Sequence, residues 1–62
     1  MEAKRYGKYL ILWSVFDYDG DDEKIVAYFK DPYKAAIYSL ENCHCGVQMI
    51  LFEPEWKVKT ED

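Results

Sequence analysis

KYLILWSVFDY, residues 8 to 18, is a strand-length run with large apolar side chains in both alternating sets. Successive side chains of an extended strand point to opposite faces. Tyr9, Ile11, Trp13 and Val15 therefore share one face, and Leu10, Leu12, Phe16 and Tyr18 the other, with only Ser14 and Asp17 interrupting. A half-solvated strand alternates apolar with polar residues, whereas a run apolar on both sides calls for cover on both. A 62-residue chain has material for one cover. The mismatch points to a partner.

The segments that follow fit around this strand. DYDGDDE, residues 17 to 23, sets five acids around Gly20 and reads as a hairpin connection, because Asp and Gly populate the positive-φ positions of tight reversals. Lys24 to Lys30, KIVAYFK, is a second strand with Ile25, Ala27 and Phe29 on one face and Val26 and Tyr28 on the other. Asp31-Pro32 opens a helix, the aspartate accepting from the first free N–H groups and the proline needing no N–H partner. The helix is predicted over Pro32 to Asn42. Its apolar residues Tyr33, Ala36, Ile37 and Leu40 fall at i, i+3, i+4 and i+7 and should pack on the sheet, leaving Lys34, Tyr38 and Glu41 outside. Gly46 or Asn42 ends it. Val47 to Glu53, VQMILFE, is a third strand stopped by Pro54.

The expected fold is α+β: a single ββαβ domain over residues 1–62, with a three-stranded sheet in the order 2-1-3 and one helix packed on one face. A right-handed crossover through the helix sets the third strand parallel to the second. Residues 1–7 read as a lead-in and residues 59–62 as a flexible tail. The uncovered sheet face would present Leu10, Leu12, Phe16, Val26, Tyr28, Ile50 and Phe52, or the alternate row if the register is inverted. Contiguous apolar surface of that size exceeds what monomers usually leave open. A homodimer through that face is the first expectation, with Leu10, Leu12, Phe16, Tyr28, Ile50 and Phe52 as its interface. Binding of a different protein there is the second, and cover by the chain's own tails the third.

Composition narrows the function classes. Aromatic residues make up 18% of the chain and hydrophobic residues 50%, which suits a folded globule and not a disordered tail. Eight basic residues stand against twelve acidic ones, a net charge of −4. Phosphate backbones and anionic membranes repel such a chain, so the expected partner is a protein with a basic surface. No apolar stretch approaches a membrane span, and no signal-peptide layout precedes the first strand, so the cytoplasm is the expected location. Lys4, Arg5 and Lys8 are the only basic patch and read as a solvated terminus.

Motifs for chemistry are sparse. Asp17-x-Asp19-Gly20 after an apolar strand resembles the nucleophile motif of haloacid-dehalogenase phosphatases, but that family needs a large parallel α/β domain with further motifs. As a calcium loop the same stretch has Asp22 where glycine is required and Tyr28 where the bidentate glutamate belongs. Cys43 and Cys45 flank His44, too close for an unstrained disulfide and too few for zinc, so reduced thiols are expected and no metal or cofactor is assigned. His44 is the only histidine. The chain is read as a non-enzyme. Asp17, Asp19, Asp21, Asp22 and Glu23, with Glu53 and Glu55 as possible additions, remain as a surface that imitates phosphate spacing. The plainer reading is an exposed turn made acidic for geometry and solubility.

The layout Tyr9–Phe16, Asp17–Glu23, Ile25–Lys30, Pro32–Asn42 and Val47–Phe52 resembles the small phage inhibitors of uracil-DNA glycosylase. In these a strand, an aspartate-rich turn, a tyrosine-rich strand, a helix and a last strand form an acidic dimer. The helix departs from that pattern, with Ile37 and Tyr38 where the family places an aromatic followed by an acid. A similar layout occurs in small phage inhibitors of host RNA polymerase. The resemblance implies a host-takeover protein that inhibits a nucleic-acid-handling enzyme as a DNA mimic. The alternative is a structural or assembly subunit whose apolar face makes oligomers.

Overall fold

The computed structural model describes residues 2–62. Met1 of the expected lead-in lies outside the described residues. Among them the fold is α+β, one helix on an antiparallel sheet of four strands: β1 (Arg5–Tyr6), β2 (Tyr9–Asp19), β3 (Asp22–Phe29), α1 (Pro32–Glu41) and β4 (Gly46–Phe52). The doubly apolar run is β2, paired with β3 along one edge and β4 along the other. Both neighbours are antiparallel to it.

The expected three strands become four because the lead-in reverses at Gly7, which has φ +59, and returns as β1 beside Tyr9 and Leu10. Leu10 also pairs with Phe52 of β4, so β1 must occupy the same edge of β2 as β3, farther along. A second correction concerns the hairpin. Asp19 pairs with Asp22 across Gly20 and Asp21, so the turn is two residues long and most of the acidic run is strand. Gly20 has φ +68 and Asp21 has no positive φ, the requirement of a II′ turn, whose twist matches the strands. Val15 pairs with Ala27 but Phe16 with Ile25, leaving Val26 as a bulge in β3.

The helix packs on the side of β2 that carries Trp13 and Val15. Val15, Ala27, Phe29 and Ala35 form the buried centre there, bordered by Trp13, Val26, Tyr38 and Val47. The contact face of α1 is Ala35, Tyr38 and Ser39, not the predicted stripe of Tyr33, Ala36, Ile37 and Leu40, and Tyr38 points in, not out. Both ends of the helix are capped. At the start, Asp31 caps it by accepting from the Tyr33 N–H at 2.9 Å. At the end, the N–H of Cys43 donates to Leu40 O and that of His44 to Ser39 O, a Schellman turn with Cys43 at φ +57. Ala35 and Ser39 are small enough for the helix backbone to sit close on the sheet, while Tyr38 reaches sideways to Phe29, ring centroids 5.3 Å apart.

The opposite sheet face is covered by the chain's own end, the third of the three expectations for it, and is not the open face expected first. A turn closed by Trp56 N–H on Glu53 O redirects the chain after β4. The segment then crosses under the sheet to the β3 edge, where the Glu61 N–H donates to Tyr28 O. Asp62 anchors it: Oδ1 accepts from the Lys30 N–H and Oδ2 from the Asp31 N–H, each at 2.9 Å. Tyr28, Phe52 and Trp56 stack edge to face along the way. Leu12 is 2% exposed beneath this cover, and Ser14, fully buried, donates its hydroxyl to Gln48 O.

Candidate protein-binding surface

The predicted acidic residues separate into two groups. Asp17 leaves the cluster: its Oδ2 lies 2.7 Å from His44 Nδ1, and its Oδ1 accepts from the Cys45 N–H at 3.0 Å. Because a carboxylate only accepts, Nδ1 is the ring nitrogen that carries the proton. The histidine holds the Asp17 carboxyl below its ordinary 3.8, helped by the Cys45 N–H and opposed by partial burial. His44 in turn stacks on Tyr38, rings 5.5 Å apart and inclined by 18°. Asp17 is thus a clasp between β2 and the turn after α1.

Asp19, Asp21, Asp22 and Glu23 stay together at the hairpin tip, all exposed. None forms an ion pair among the described residues. Asp19 and Asp22 face each other directly across the ladder, an arrangement that costs stability and that sheets normally avoid. Tyr18, 60% exposed, stands opposite Glu23 and edge-on to Phe16. Glu53 and Glu55 lie elsewhere, in the turn after β4. Their mutual hydrogen bond raises the Glu53 carboxyl above 4.5 and lowers that of Glu55.

The predicted apolar interface does not form an open surface. Leu12 is buried, and Leu10, Phe16, Tyr28, Ile50 and Phe52 are half-buried. The tail leaves a cleft of about 570 Å³ against this face, floored by Leu10 and Leu12 and walled by Trp56, Val58, Lys30, Lys57 and Lys59.

Exposed apolar surface gathers instead on α1 and β4. On the outer side of the helix Tyr33 is 76% and Leu40 81% exposed, with Ile37 between them also open, and on β4 Met49 and Leu51 are exposed. Tyr33, Ile37 and Leu40 follow the i, i+4, i+7 spacing of an amphipathic helix, yet the side they share looks away from the sheet. The sequence contains this stripe plainly; what it hides is the direction in which the stripe points. The Asp17–His44 contact, spanning 27 positions, carries no local signal either.

Cys43 and Cys45 are free and exposed. Among the described residues no three His, Cys, Asp or Glu side chains converge as a metal site, and no helix is long and apolar enough to cross a membrane. In comparisons with protein families, with curated proteins and with solved structures, the chain matches none.

Proposed function

We propose that this chain is a non-enzymatic protein-binding module of the phage host-takeover type, acting in the cytoplasm as an inhibitor of a host nucleic-acid-handling enzyme. The outward apolar stripe of α1 is the observation that carries the reading. A helix that turns Tyr33, Ile37 and Leu40 to solvent has its sheet contact made by Ala35, Tyr38 and Ser39, and an amphipathic helix with an unspent apolar side is the usual ligand of a hydrophobic groove. The hairpin tip supplies the second element. Four exposed carboxylates without cationic partners among the described residues, two of them opposed across the ladder, break a local rule of sheet design. A basic nucleic-acid cleft on the partner would neutralise them.

The test is affinity capture from bacterial lysate with three baits of verified circular dichroism: the wild type, the triple variant Asp19→Asn, Asp21→Asn, Asp22→Asn, and the double variant Ile37→Lys, Leu40→Lys. The expected result is a nucleic-acid-handling protein retained by the wild type, displaced by duplex DNA and lost from both variants. Equal retention by all three baits would end the reading. The alternative, an assembly subunit, draws on a different observation, the bare outer edge of β4.

A further inference from the structure

We infer that two copies of this chain join edge to edge through β4, running antiparallel about a twofold axis at Met49, into one continuous sheet. The inference deepens the protein-binding reading by naming a second copy as one partner, at a surface separate from the helix stripe and the hairpin tip. The two edges of the sheet differ. The β3 edge is interrupted by the Val26 bulge, carries Lys24, and takes a hydrogen bond from the tail at Tyr28. Such devices keep an edge from recruiting another strand. β4 has none of them. Its seven residues, GVQMILF, hold no charge and no proline, and pair with β2 in unbroken register from Gly46 to Phe52. Among the described residues nothing pairs with its other side.

The register follows from the hydrogen bonding. Ser14 donates its hydroxyl to Gln48 O, so the Gln48 carbonyl faces β2. Backbone groups alternate along a strand in an antiparallel ladder, so Val47, Met49 and Leu51 direct their N–H and C=O outward. Met49 is the midpoint of β4. Pairing it with the partner's Met49 therefore overlaps the two strands completely, sets Val47 against the partner's Leu51 and Gly46 against the partner's Phe52, and opposes no like charges. Met49 and Leu51, 52% and 39% exposed, gain cover on the helix side of the joined sheet. The antiparallel arrangement also sends the two acidic hairpin tips to opposite ends of the dimer, which keeps the densest negative charge of each copy away from the seam.

Sedimentation and amide hydrogen exchange test this together. The wild type should sediment as a dimer, with the Val47, Met49 and Leu51 amides protected although they face away from β2. Met49→Lys with Leu51→Lys should yield a folded monomer in which those amides lose protection. Should the double variant unfold, Met49→Lys alone, at an exposed position, should give the same dissociation. The helix variant Ile37→Lys, Leu40→Lys should remain a dimer even if it loses its capture partner, so the two readings fail separately. A monomeric wild type, an edge-lysine variant that stays dimeric, or dissociation by the helix variant would each overturn the inference.

Discussion

Asp17, Asp31 and Asp62 each hold backbone N–H groups with their carboxylates, whereas no side chain at Asp19, Asp21, Asp22 or Glu23 holds any partner among the described residues. The first set sits where the chain changes layer: β2 to the turn after α1, β3 to α1, and the tail to the β3–α1 link. The second sits at one projecting end. Composition treats all seven alike, and an acidic protein is easily read as uniformly acidic for solubility. The contrast shows that acids are spent for two purposes, and that only the unpartnered set is free to meet a basic surface.

The largest effect is expected from undoing the tail clasp. Asp62→Ala leaves the Lys30 and Asp31 N–H groups without acceptors. Charge-assisted hydrogen bonds of this kind contribute about 1.5–3 kcal/mol when lost, and partial solvation puts the expected loss near the lower end, about 2 kcal/mol. Urea denaturation measures it, and Trp56 emission should shift to the red as the tail lifts. Acid should weaken the same clasps. Burial pushes the Asp62 carboxyl up, but the Lys30 and Asp31 N–H groups outweigh it and leave the net shift below 3.8, the direction already found for Asp17. Folded values lowered in this way contribute stability that is complete above the unfolded value of 3.8 and fades as pH falls through the folded values beneath it. Asp17→Asn and Asp62→Asn should each flatten that acid limb.

Removing the helix cap comes next. Asp31→Ala deletes the acceptor for the Tyr33 N–H and should cost about 1 kcal/mol, read from the urea midpoint. This cap was legible in the sequence, since Asp-Pro before an apolar period has one local meaning. So was the central strand, because Lys8 to Tyr18 is too apolar on both sides to lie at an edge. The rotation of α1 was not legible. Two stripes compete on that helix, and Tyr33, Ala36, Ile37 and Leu40 form the more hydrophobic one. The winner, Ala35, Tyr38 and Ser39, goes with contacts made to the helix ends from distant parts of the chain, Asp62 on the Asp31 N–H at the start and His44 bound to Asp17 at the end. The tail was hidden for a related reason: EWKVKTED has weak alternation, and its place depends on Asp62 reaching backbone groups about thirty residues upstream. The acidic run is visible in the sequence as a hairpin connection, but its length is not, because β2 and β3 continue through it to a two-residue turn.

The smallest effect, and the sharpest on the contrast between the two sets, is expected at the hairpin tip. Asp22→Lys replaces a like-charge pair facing Asp19 with an opposite-charge pair, which should raise stability by about 0.5 kcal/mol. The same change puts a cation into the surface proposed to meet a basic cleft, so capture of the partner should fall while the urea midpoint rises. Opposed movement of the two readouts is what a set of acids held for binding and not for folding requires. A fall in the urea midpoint would mean that Asp22 supports the hairpin, and the tip would then belong with the clasps.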